Sequence, residues 1–127
     1  MKGILMILSE DSNTSNYIIK GYKPGLITIN SESYSESIIV NSQQIIKWPP
    51  SSLDDLLAEH LEQIIALKPE IILLGTGIHF KMPPPEQLEP IYRHGMGVEC
   101  MDTGAACRTF SVLSSEGRNV IAALLID

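Results

Sequence analysis

Two patterns of apolar and polar positions divide this chain near residue 50. Before that point no helical period appears. Ile27-Thr28-Ile29 and Ser37-Ile38-Ile39-Val40 are β-branched runs of the kind that strands favour. Asn30-Ser31-Glu32-Ser33 between them reads as a hairpin turn, because Asn and Ser side chains hydrogen-bond to nearby turn backbone. Tyr17 to Tyr22, ended by Lys23-Pro24-Gly25, predicts another strand, and Gln44 to Trp48 a further one. Trp48, ahead of Pro49-Pro50, is expected to seal one edge of the core.

From residue 51 the period changes. Ser52 stands three before Asp55, which resembles a helix N-terminal box with Asp in place of Glu. Leu53, Leu56, Leu57, Leu61 and Ile64 recur at three- and four-residue spacing and predict a helix that Pro69 closes. His60 is expected on its solvated side. Ile71 to Leu74 is a continuous apolar run, typical of a strand buried on both faces, and Gly75-Thr76-Gly77 ends it. Met82-Pro83-Pro84-Pro85 predicts extended chain, with Pro85 opening a short helix to about His94. Val98 to Met101 is the next strand. Asp102-Thr103-Gly104 leads into a helix carrying Ala105, Ala106, Phe110, Val112 and Leu113, with Gly117 as its left-handed stop. Val120 to Ile126 is the last strand. Alternating helices and buried strands are βα grammar. Residues 1–127 therefore read as a single α/β domain, with no linker or repeat. It has a mixed central sheet, helices on at least one face, and a small additional β layer built by residues 1–50.

Composition narrows the function classes. Hydrophobic residues make up 44% of 127, which excludes a disordered chain. Charged residues make up only 19%, so some outer faces are neutral or covered. The net charge of −6 is shared by both halves, with 4 basic and 8 acidic residues in 1–63 and 5 and 7 in 64–127. No cationic cluster exists to displace counterions, which argues against nucleic acid and against anionic membrane surfaces. The apolar start, Met1 to Leu8, stops at Ser9-Glu10-Asp11, too short for a signal peptide. No apolar run approaches the ~18 residues that span a bilayer. Cys100 and Cys107 read as reduced thiols of a cytoplasmic protein. Asn13-Thr14-Ser15 matches a glycosylation acceptor, which has no meaning in that compartment.

One place in this reading could hold chemistry. Strands 71–74 and 98–101 are joined by one short helix, so they should lie parallel with their carboxyl ends on one edge. Open α/β sheets bind ligands at such an edge. Gly75, Thr76 and Gly77 end one strand, and Asp102, Thr103 and Gly104 end the other. Thr103 opens a helix whose free N–H groups attract anions, and Arg108 lies one turn on. The same residues also serve turns and caps with no ligand present. Asp102 opposes a strongly anionic ligand. Phe80 stands where a dinucleotide fingerprint needs its third Gly, and the prolines bar a helix directly after the loop. Cys107, near a helix start and beside Arg108, reads as a reactive thiolate or as a small buried thiol. A dyad of Cys107 with His79 can be drawn, but no spacing demands it. Neither a catalytic constellation, a metal site nor a cofactor is expected.

Gly75-Thr76-Gly77, Met101 to Phe110, Ser115-Glu116-Gly117-Arg118 and Trp48-Pro49 together resemble a bacterial domain-of-unknown-function family. Its eukaryotic relatives include the mitochondrial complex I assembly factor 3 type and an adipogenesis-associated branch. The resemblance runs from about Tyr17 to Ile126, and Asp102 to Phe110 is its specific part. Phe110-Ser111 stands where the family often has Tyr-Asn, so no polar role carries over to those two positions. The resemblance implies a three-layer α/β fold with a mixed central sheet and no established catalytic activity. It implies a small assembly-factor-like module that binds other proteins; self-association into a homo-oligomer is a separate expectation. The alternative is a small-ligand or anion-binding protein, or an enzyme, using the strand-end crevice.

Overall fold

Alternation along the last strand sets the layers of the computed structural model, which describes residues 6–10 and 17–127. Val120, Ala122 and Leu124 enter one core, while Ile121, Ala123 and Leu125 enter a second. Both faces of the sheet are covered, so this segment is apolar throughout. The start before residue 6 and the Asn13-Thr14-Ser15 match lie outside the described residues.

In chain order the strands are β1 (Ile7–Glu10), β2 (Ile19–Lys23), β3 (Leu26–Ile29), β4 (Glu32–Tyr34), β5 (Ile38–Val40), β6 (Gln44–Lys47), β7 (Ile71–Gly75), β8 (Val98–Met101) and β9 (Val120–Leu124). The helices are α1 (Ala58–Ile65), α2 (Glu89–Arg93) and α3 (Thr103–Ser115). The large sheet has the order β1-β6-β5-β9-β7-β8. It is mixed, as expected: β7 runs parallel to β8 and β9, and the other pairs are antiparallel. On one face lie α3 and the three-stranded sheet β2-β3-β4, joined through Ile27, Ile29, Ala106 and Phe110. On the other lie α1, α2 and Trp48. Trp48 is 1% exposed, and its indole N–H donates to the His60 carbonyl at 3.2 Å.

Three expectations are corrected. Asn30 does turn the chain, with a φ of 53° that Asn tolerates, but the partner of β3 is the short β4. Ile38 to Val40 instead pairs with β6 and β9 inside the large sheet, where Ile38 and Val40 enter one core and Ile39 the other. The leucine-rich helix begins late. Leu53–Asp55 forms a single 3-10 turn, Leu56 and Leu57 are extended, and α1 starts at Ala58. The Gln87 amide donates to the carbonyls of Leu53 and Leu56 at 2.8 and 3.2 Å, replacing bonds that a continuous helix would make. His60 is buried rather than solvated, because its Nδ1 accepts the Leu57 N–H at 2.9 Å and so caps the new helix start. Burial pushes the His60 pKa down, although Glu59 and Asp55 pull it up, and this favours the neutral ring that can accept.

Candidate functional site

The two strand ends meet as the parallel pairing requires. Gly75 pairs with Met101 across β7 and β8, and the Thr76 N–H donates to the Met101 carbonyl at 2.8 Å. What the sequence did not reveal is that the chain fills this edge itself. The Thr103 N–H donates to the Gly77 carbonyl at 2.8 Å. The Thr103 hydroxyl accepts the Gly77 N–H at 2.9 Å and donates to the Leu125 carbonyl at 2.7 Å. The Leu125 N–H donates to the Gly75 carbonyl at 3.0 Å. Thr103 is 0% exposed and Thr76 2%. A Cβ on Gly75 would lie 2.8 Å from the Thr103 hydroxyl, so the backbone approaches α3 more closely than any side chain permits.

Thr76 is occupied as well. Its hydroxyl donates to the His79 carbonyl at 3.2 Å and accepts the Lys81 N–H at 3.0 Å. These bonds fix the loop after β7, on which Ile78, Phe80 and Met82 stand exposed. Asp102 caps α3, its Oδ1 accepting the Ala105 N–H at 2.8 Å.

The remaining sequence-derived candidates turn elsewhere. Gly104, Cys107 and Arg108 face a groove of about 440 Å³ between α3 and β2, whose other wall is Lys20, Gly21 and Tyr22. The structure thus divides the candidate set. Gly75, Thr76, Gly77 and Thr103 form a closed hydrogen-bonded junction, and Gly104 and Arg108 line an open groove beside it. Lys20 and Tyr22 escaped the sequence reading, because no spacing rule links them to residues more than eighty positions away. Gly104 lets the Tyr22 ring pack closely on the helix: a Cβ there would lie 3.2 Å from that ring. The Tyr22 phenol oxygen is buried and has no hydrogen-bond partner among the described residues. Burial raises its pKa, with Cys107 and Asp102 adding to the shift, so the phenol stays protonated at neutral pH.

Cys107 is 3% exposed and packs into the core beneath α3. Burial pushes its thiol up to about 12; Arg108 pulls it down by less, and Asp102 adds to the rise. That shift is opposite to the one a reactive thiolate requires. Among the described residues no hydrogen bond joins Cys107 to His79, which is exposed on the loop after β7. Alkylation of native Cys107 by iodoacetamide at neutral pH is accordingly expected to be slower than that of a free thiol, with the ordinary rate returning in denaturant. Labelling of the native protein at the free-thiol rate, located by peptide mass, would contradict the buried assignment.

Comparison with known proteins places the chain in a wider set. The family described as "Protein of unknown function (DUF498/DUF598)" matches residues 19–125. A Francisella tularensis protein named "13 kDa major membrane protein" is 33% identical over 119 residues, covering 91% of this chain and 96% of its own. NADH dehydrogenase (ubiquinone) 1 alpha subcomplex assembly factor 3 of Danio rerio is 36% identical over 110 residues, 85% of this chain. The chain spans 63% of that relative's length. The crystal structure of a Bordetella parapertussis protein superposes with a TM-score of 0.82 at 38% identity, covering 90% of this chain and 98% of the other. Among the described residues no helix is long and apolar enough to cross a membrane.

Proposed function

We propose that this chain, which belongs to the DUF498/DUF598 family, is a non-enzymatic protein-interaction module of the assembly-factor kind. The observation that carries this reading is the loop after β7. Ile78, Phe80 and Met82 are 44%, 53% and 66% exposed, and the buried Thr76 hydroxyl holds the loop in place beneath them. Three large apolar side chains within five residues of one held loop are what a partner surface requires. The name of the Danio rerio relative supports the same class of role. The partner is another protein or a second copy of this chain. The cytoplasm is the proposed compartment, favoured by two free cysteines, and fractionation tests it against the membrane named for the Francisella relative.

The experiment compares the wild type with a Phe80→Asp, Met82→Asp double variant. Both positions are exposed, so the fold should survive. Purification of the tagged wild type at native expression level should recover a stoichiometric partner, or sizing should show self-association. The double variant should lose it. A wild type that recovers no partner and stays monomeric would overturn the reading, as would a double variant that retains the same complex.

A further inference from the structure

The six-stranded sheet ends on β8, whose outer edge takes no partner strand among the described residues. Gly75 pairs with Met101, and the Met101 carbonyl turns inward to accept the Thr76 N–H at 2.8 Å. Backbone groups alternate sides along a strand, so the N–H and C=O groups of Val98 and Cys100 point outward. Among the described residues no other backbone group bonds to these four. Gly97, just before the strand, leaves the approach open: a Cβ there would meet nothing within 4 Å. The other sheet edges are blunted. β1 and β2 each break register, between Ile7 and Ser9 and between Ile19 and Gly21, and β4 is three residues long. β8 keeps an unbroken register from Val98 to Met101.

We propose that β8 binds an extended segment of a partner protein by antiparallel strand addition, with a lysine or arginine opposite Glu99 and an apolar residue on each side of it. Side chains select this occupant. Val98 and Cys100 pack against the second core, and Glu99 between them is exposed. Glu99 makes no ion pair among the described residues. A second copy of β8, paired antiparallel through all four outward groups, would set Glu99 directly opposite its own counterpart. Like charges placed so destabilise the pair, whereas an opposite charge stabilises it. In the proposed complex Val98 and Cys100 form the two hydrogen-bonded pairs, and Glu99 forms the closer pair between them. The two apolar side chains then lie on the face of Val98 and Cys100 and extend the second core. This surface belongs to the backbone of β8, so the inference does not depend on the reading of the loop after β7.

Titration of the full chain with a capped nine-residue peptide centred on Val-Lys-Val, followed by amide NMR, tests the assignment. The peptide should saturate with a Kd of about 1 mM or tighter and shift the amides of residues 97–101. A counterpart centred on Val-Glu-Val should bind about fivefold more weakly. Glu99→Lys should reverse that preference, and Glu99 is exposed, so the fold should survive the change. Methylating both valine nitrogens of the peptide should abolish binding, since it removes the donors to the Val98 and Cys100 carbonyls. Four results would overturn the proposal. They are no saturation by about 10 mM peptide, shifts confined to residues outside β8, and a Lys-over-Glu preference unchanged by Glu99→Lys. The fourth is dimer formation by the peptide-free protein with shifts at residues 97–101, which assigns the edge to a second copy.

Discussion

Thr103→Val lowers the stability of this domain by about 3 kcal/mol, because one methyl group replaces one hydroxyl of nearly the same shape. The Thr103 hydroxyl serves two buried backbone groups at once. It accepts the Gly77 N–H at 2.9 Å and donates to the Leu125 carbonyl at 2.7 Å. Valine keeps nearly the same shape at this fully buried position and leaves both groups unpaired in an interior that water does not reach. Each orphaned group costs about 1–3 kcal/mol, and some relaxation recovers part of the sum. Urea or thermal denaturation measures the loss, and Thr103→Ser supplies the control. Serine retains the hydroxyl and should lose no more than about 1 kcal/mol, the value of a buried methyl. If Val and Ser variants were equally stable, the hydroxyl would not be the pin that joins the strand ends.

Gly77→Ala is the second large effect, expected at about 3–5 kcal/mol. Gly77 has a φ of +114°, a conformation that costs a residue with a side chain about 1–3 kcal/mol. The added Cβ would also run into the Asp127 carbonyl. Moving residues 125–127 aside breaks a chain of bonds: Leu125 to Gly75 at 3.0 Å, Ile126 to the buried Ser37 hydroxyl at 2.9 Å, and Asp127 to Ser51 at 3.0 Å. Gly97→Ala is the matched control, since its Cβ would meet nothing within 4 Å and its φ is not left-handed. Equal stability of the two alanine variants, measured by the same denaturation, would refute the close approach at Gly77.

Both predictions concern residues that the sequence had singled out for a different reason. Gly75, Thr76, Gly77 and Thr103 were recognisable because βα strand ends are where ligands bind in open sheets. Their position was legible from the strand–helix–strand pattern, and the parallel pairing of Ile71–Gly75 with Val98–Met101 follows it. Their occupancy was not. Whether an edge is open depends on which distant segment crosses it, and here residues 125–127 do. No local pattern encodes that crossing, because Leu125 and Ile126 look like the continuation of a buried strand. The groove was half legible for the same reason. Gly104 and Arg108 came with their helix, but Lys20 and Tyr22 reach them only when the small sheet folds over α3.

The leucine-rich segment gives the same lesson in miniature. Leu53, Leu56 and Leu61 point to one core, as their spacing requires. Yet the helix starts only at Ala58, because the Gln87 amide captures the carbonyls of Leu53 and Leu56 from another part of the chain. His60 turns inward to cap the shortened helix.

Sequence alone therefore determined the class of this fold, its mixed sheet, the order of its later elements and the strands buried on both faces. Those properties follow from apolar periodicity and from which residues can start or stop a helix, and both act over a few neighbours. Tertiary structure alone decided which candidate residues are consumed in holding the sheet edge closed and which remain free to meet another molecule. A hydroxyl, a glycine or an arginine has the same local signature in either role, and only the segment packed against it separates the two.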